Sequence, residues 1–153
     1  MQYKTMMAES GTLVIFPTTL INELEKQKQL NLRDMESGGI IIGKRRSSNI
    51  EVVAITTPQL KDRRSRCRFD RKEFGHDTIL GQYWRQSNGE DNYLGEWHTH
   101  PEDFPTPSLT DLSTWRAMSS EHGIPLLAVI IGRVKNYYAI VSRSQFYRLM
   151  EIT

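Results

Sequence analysis

In the segment Trp97-His98-Thr99-His100-Pro101 two histidines stand two positions apart. On extended backbone positions i and i+2 share a face, so both imidazoles can be aimed at one point. Ser108-Leu109-Thr110-Asp111 follows a proline-rich stretch, and a loop that folds back there brings Asp111, in the first turn of a helix, to the same point. Two ring nitrogens and one carboxylate oxygen suit Zn²⁺, and three protein ligands leave a fourth position for water. A zinc so held lowers the pKa of that water to about 7, which supplies a nucleophile without a nucleophilic side chain. The chemistry also needs a proton acceptor that is not itself a ligand. Glu36 is placed for that role, just before Ser37-Gly38-Gly39, where two glycines let backbone and substrate come close. Ser108 can donate to a carbonyl oxygen that becomes negative as attack proceeds. Ser108-x-x-Asp111 is also a helix-capping arrangement; both roles can coexist, since a cap fixes the turn from which Asp111 reaches a metal.

These side chains need a strand, a loop and a helix to carry them. Tyr93 to His98 reads as a strand and Pro105 to Pro107 as a rigid loop. Ser108 to about Glu121 reads as a helix buried through Leu109, Leu112, Trp115 and Met118. Gly38 to Gly43 contains Ile40, Ile41 and Ile42, a β-branched run suited to a strand buried on both faces, with Glu36 at its entry. Turn residues Ser47, Ser48 and Asn49 join it as a hairpin to a strand over Ile50 to Ile55. Upstream, Thr12 to Phe16 is a short strand stopped by Pro17. Thr18 or Thr19 then caps a helix running to about Leu30, with Leu20, Ile21 and Leu24 as its stripe. An alternating stretch from Arg64 to Phe69 reads as an edge strand, and Phe74 to Gln86 as a helix with Ile79, Leu80, Tyr83 and Trp84 on one face. Strands over Leu126 to Ile131 and Tyr137 to Val141 follow, with a short terminal helix near Gln145 to Met150. Strands interleaved with about three helices predict one α/β (α+β layered) domain over residues 1–153, a mixed β-sheet flanked by helices.

Composition narrows the function classes. With 153 residues, 38% hydrophobic and 25% charged, and a mean hydropathy of -0.52, the chain has enough for one core and lies outside the disordered and membrane classes. Its longest apolar run, Ile124 to Ile131, is far too short to cross a bilayer. No basic leader or cleavage site precedes Leu13 to Phe16, so the expected compartment is the cytoplasm. Cys67 is the single cysteine, which obliges any metal site to use histidine and carboxylate. It has no histidine nearby in sequence, and zinc chemistry does not need it. A net charge of +2 does not announce a nucleic-acid binder. Lys61, Arg63, Arg64, Arg66, Arg68, Arg71 and Lys72 do cluster, and such a run reads as a solvated face. His76 and His122 read as surface or helix-end residues, and Trp84, Trp97 and Trp115 as core or pocket wall.

Glu36-Ser37-Gly38-Gly39, His98-x-His100-Pro101 and Ser108-x-x-Asp111, in that order, resemble the signature of the JAMM (JAB/MPN) metalloproteases. At this chain's residue frequencies the His-x-His-x7-Ser-x-x-Asp pattern arises by chance in roughly three of ten thousand chains of this length, so a false match is improbable. The resemblance implies a mixed sheet flanked by helices, Zn²⁺ held by His98, His100 and Asp111, Glu36 as general base and Ser108 as oxyanion stabiliser. It also implies cleavage of an isopeptide or peptide bond after the C-terminus of a ubiquitin-like protein. The short free-standing chain and its Pro-rich loop look bacterial, and by overall likeness the chain is most similar to the stand-alone deconjugases of bacterial anti-phage CBASS operons. That likeness implies as partner a protein conjugate entering by its extended C-terminal tail, the conjugated protein being a cGAS-like nucleotidyltransferase, with an E1/E2-like ligase as the functional counterpart. Neither a membrane nor a nucleic acid is an expected partner. The alternatives are a peptidase for a small sulfur-carrier protein, a non-catalytic scaffold of the same fold, and a nucleic-acid-associated module.

Overall fold

Ile40 and Ile42 face one hydrophobic cluster and Ile41 faces another, and that division organises the chain. The computed structural model describes residues 2–152. Its elements, in order, are β1 (Tyr3–Ala8), β2 (Leu13–Pro17), α1 (Thr18–Glu25), β3 (Gly38–Arg46), β4 (Asn49–Ile55), β5 (Arg63–Ser65), β6 (Arg68–Asp70), α2 (His76–Gln86), β7 (Asn92–Thr99), α3 (Leu109–His122), β8 (Leu126–Ile131), β9 (Asn136–Val141) and β10 (Phe146–Glu151). Eight strands form one mixed sheet in the order β1-β10-β9-β8-β7-β3-β4-β2, which closes where β2 pairs with β1. The pairs β2/β4 and β7/β8 are parallel and the rest antiparallel.

Closure gives the sheet an inside and an outside, both covered. Trp97, Leu127, Val129 and Ile131 point inward with Ile41, and Ile21 and Leu24 of α1 join them. Ile40, Ile42, Leu126, Ala128 and Ile130 point outward beneath Trp115, Leu112 and Met118 of α3, with Ile79, Leu80 and Tyr83 of α2 packed on the same cluster. Burial on two faces explains why β8 reads Leu-Leu-Ala-Val-Ile-Ile without alternation. Register shifts at Ile41/Ile42 toward β7 and at Ile42/Gly43 toward β4 bend β3 where the sheet curls.

The class, mixed sheet and three helices match the sequence expectation, and several local expectations are corrected. Gln145 to Met150 is a strand, because β10 fills the gap between β9 and β1 and closes the sheet. β1, which no pattern announced, alternates exposed Met7 with buried Met6 and Ala8. α1 stops at Glu25 and not near Leu30, since the residues after Leu24 are polar up to the exposed Leu30. Arg64 to Phe69 is not an edge of the main sheet: it folds into a separate hairpin, β5 and β6, turning at Arg66 and Cys67. Leu109 and Trp84 are exposed despite lying on predicted apolar faces. His76 is fully buried at the start of α2. The Thr56 hydroxyl accepts from Ile40 N–H and donates to His76 Nδ1 at 2.6 Å, which leaves Nε2–H for Asp62 at 2.7 Å. Asp62 also accepts from the backbone of Gln59 and Lys72, so this buried chain anchors both ends of the loop that carries the hairpin.

The basic cluster divides: Lys61, Arg63 and Arg68 are exposed, and the other four are partly buried and bonded within the chain. Arg64 donates to Glu36 O and Ser37 Oγ, Arg66 to Asn31 O and Leu32 O, Arg71 to Glu96 and Lys72 to Asp70. Only Lys61, Arg63 and Arg68 remain as the expected solvated face. Among the described residues no helix is long and apolar enough to cross a membrane.

Candidate active site

Pairing of β3 with β7 sets Gly38 opposite His98, and this register brings the segment before β3 beside the histidines. Ser37 and Thr99 lock it, with Thr99 N donating to Ser37 O and Ser37 N to Thr99 Oγ1, each at 2.9 Å. Glu36 is held from the other side by Ser65 O, which accepts its N–H at 2.7 Å, and by Arg64 Nε on its carbonyl at 2.7 Å. The glycines serve this packing rather than leaving room for substrate. A Cβ on Gly38 would lie 2.5 Å from the Phe69 ring, and one on Gly39 would lie 2.1 Å from Thr56 O.

His98 and His100 converge as their spacing predicts, with Nε2 atoms 3.0 Å apart. The loop after Pro101 is braced by the β8/β9 turn: Arg133 N donates to Glu102 O at 2.7 Å, and the Arg133 side chain pairs with Asp103 at 2.9 Å. It delivers Ser108 as the N-cap of α3 in a full capping box, Ser108 Oγ accepting from Asp111 N and Asp111 Oδ2 from Ser108 N. The cap turns Asp111 inward, its carboxylate 3.4 Å from His98 Nε2 and 3.2 Å from His100 Nε2. Ligand atoms of His98, His100 and Asp111 all lie within 4.8 Å of one another. Two imidazole nitrogens and a carboxylate facing one point fit a divalent cation of borderline softness. His100 Nδ1 meets Glu102 at 2.7 Å, the outer partner that a metal-bound imidazole ordinarily has. His98 has no such partner among the described residues.

All five residues singled out in the sequence, Glu36, His98, His100, Ser108 and Asp111, line one cavity of about 760 Å³. Its walls are β6 with the residues flanking it and the face of α3 that carries Thr110, Thr114 and Met118. Cys67 lies on this wall, exposed at the hairpin turn. Burial would raise the Asp111 carboxyl, but hydrogen bonds with His100 and His98 outweigh it and hold it well below the usual carboxylate range. Burial lowers His100, and Asp111 and Glu102 more than offset that. Glu36, 5% exposed, is pushed by burial up to about 7; His100 opposes the shift, and Asp111 and Glu102 add to it.

That shift has a measurable cost. In the metal-free protein Glu36 binds its proton more tightly folded than unfolded, so stability falls as pH rises from about 4.5 through about 7. Glu36→Gln removes this dependence. At pH 8 with chelator present, Glu36→Gln is expected to be more stable than the wild type by up to about 3 kcal/mol. At pH 4 the gap closes. Denaturant melts of both proteins at the two pH values check it, and an equal gap at both would contradict it.

The sequence did not disclose a further group beside the histidines in the same cavity, two positions before His98 on β7. Glu96 is paired with Arg71 and accepts from the Tyr93 hydroxyl.

A buried acid beside a cluster that could hold a metal suits hydrolysis, and relatives of the chain are named as isopeptidases. The chain belongs to the family described as prokaryotic homologs of the JAB domain, which matches residues 20–148. It is 36% identical over 148 residues to a CD-NTase/cGAS isopeptidase of Pseudomonas aeruginosa, covering 94% of each chain. It is 40% identical over 127 residues to a CD-NTase/cGAS isopeptidase of Vibrio cholerae, covering 82% of this chain and 80% of that one. Its fold is similar to the solution structure of a protein from Desulfitobacterium hafniense, with a TM-score of 0.61 and 16% identity over 92% of this chain and 88% of the other.

Proposed function

We propose that this protein is a zinc-dependent isopeptidase of the bacterial cytoplasm. Its substrate is a CD-NTase, a cGAS-like nucleotidyltransferase, joined through its C-terminus to an amine of a target protein, and its action reverses E1/E2-type conjugation in antiviral defence. The observation that carries this reading is the convergence of Glu36, His98, His100, Ser108 and Asp111 on one cavity, in a chain whose relatives are named for that activity.

Zinc held by His98, His100 and Asp111 would activate water and polarise the scissile carbonyl. The Glu36 carboxylate takes the proton from the attacking water and passes it to the departing amine. One C–N bond breaks, one C–O bond forms, and a free carboxylate and amine result. Burial suits Glu36 to this work, since a carboxyl of raised proton affinity can both accept and release near neutral pH. Ser108 Oγ accepts from Asp111 N at 3.0 Å, which leaves its O–H hydrogen to donate to the carbonyl oxygen as it becomes negative. Ser108→Ala is therefore expected to lower kcat by up to about 10²–10³-fold while the metal stays bound. Elemental analysis beside steady-state kinetics checks both halves.

The substrate tail lies between β6 and α3. Among the described residues β6 pairs only with β5, and its residues line the cavity, so an extended tail can add to its free edge as a strand. Arg63 and Arg68 have no side-chain partner among the described residues and favour an acidic tail or carrier. The test fuses a candidate C-terminal tail to a reporter, maps the cut by mass spectrometry, and scans proline through Arg68 to Asp70. Cleavage just after the tail's last residue, with activity lost at one or more proline positions, is expected. Cleavage inside the reporter, or full activity at all three, would contradict it.

A further inference from the structure

Glu96 stands two positions before His98 on β7, so its side chain faces the same cavity about 7 Å farther along the strand. A carboxylate there must be paired to be tolerated. Arg71, the residue after β6, pairs with both Glu96 carboxylate oxygens: Nε donates to Oε1 at 2.6 Å and Nη2 to Oε2 at 3.1 Å. The Tyr93 hydroxyl donates to Oε2 as well. Three bonds hold Glu96, while Arg71 is less committed. Of its five N–H groups, two serve Glu96 and one reaches Lys72 O at 3.4 Å. The remaining two have no protein partner among the described residues, although Arg71 lines the cavity and its side chain is 16% exposed.

The direction of the groove gives those donors a use. Phe69 packs on Gly38, level with His98, and Arg71 is level with Glu96, so β6 and its continuation run along β7 away from the metal ligands. β6 ends at Asp70, and a ladder added to its edge ends there too. The next carbonyl of an extended tail needs a side-chain donor. Because Glu96 already neutralises Arg71, the free N–H groups suit a neutral main-chain carbonyl as well as a carboxylate.

We propose that Arg71 is a substrate-positioning residue. It donates to a main-chain carbonyl of the tail about two residues ahead of the scissile bond, and Glu96 and Tyr93 hold its guanidinium plane in place. This inference rests on the function proposed above and adds a specific contact to it.

The experiment measures kcat and KM on a tail fusion for the wild type, for Arg71→Lys, and for the triple variant Arg71→Met, Glu96→Leu, Tyr93→Phe. The triple variant exchanges a buried ion pair for apolar side chains of similar volume, a change usually neutral or stabilising. Zinc content and Tm are expected to be retained in it. KM is expected to rise about 10- to 100-fold, the equivalent of one hydrogen bond from a charged donor, with a smaller change in kcat. Arg71→Lys keeps the charge beside Glu96 but loses the fork, and its KM should move in the same direction. A stable triple variant with wild-type KM overturns the proposal, because a merely structural ion pair is replaced by packing. If the triple variant does not fold, wild-type KM in Arg71→Lys overturns it instead. Failure of the wild type to cleave any tail fusion overturns the function on which the proposal rests.

Discussion

Alanine at His98 or at Asp111 is expected to empty the metal site and abolish turnover. The wild type should hold about one Zn²⁺ per chain, and two ligands out of three cannot retain it. Loss of fold is not the expected cause. Asp111→Ala breaks half of the capping box at α3, a change worth about 1 kcal/mol, against a domain stability of about 5–15 kcal/mol. Asp111→Asn separates the two roles further, because an amide oxygen can still accept from Ser108 N while a neutral side chain is a poor zinc ligand. Elemental analysis and thermal melts on the three variants check this. If His98→Ala and Asp111→Ala both keep the wild-type metal content, the site is misplaced.

Glu36→Gln should do the reverse, keeping the metal and losing the reaction. The substitution preserves side-chain size and leaves the backbone bonds to Ser65 and Arg64 untouched, so the groove is unchanged. It removes the carboxylate proposed to move the proton, and turnover is expected to fall by about 10²–10⁴-fold. The same variant is expected to be the more stable of the two at pH 8 without metal. A Glu36→Gln protein with wild-type rate would sink the mechanism.

The convergence of the candidate site residues was legible in the sequence because its geometry is local. His98 and His100 share a face by the two-residue period of a strand, and Ser108 and Asp111 form a capping box whose spacing is fixed by the first helical turn. Glu36 stood out by the glycine pair after it, although the reason for the glycines was different: Phe69 and Thr56 occupy the space. Long-range pairings were not legible. β10 is a strand only because β9 and β1 flank it, and its own sequence offers no strong preference. Arg71 meets Glu96, and His76 meets Asp62 and Thr56, across separations that leave no periodic trace. Leu109 looked like part of a buried stripe but projects from the first turn of α3. The basic cluster looked like a solvated face, and Lys61, Arg63 and Arg68 are exposed, but Arg64 and Arg66 bond the hairpin to the segment of residues 31–37.

The most direct test of the central claim, hydrolysis at the junction between a C-terminal tail and an amine, is mass analysis of a lysine-linked conjugate digested in water enriched in ¹⁸O. The predicted result is an intact tail carrying one ¹⁸O in its terminal carboxylate and a target lysine with an unmodified amine, in the wild type and not in Glu36→Gln. An uncleaved conjugate, a cut within the tail, or label found anywhere else would contradict it.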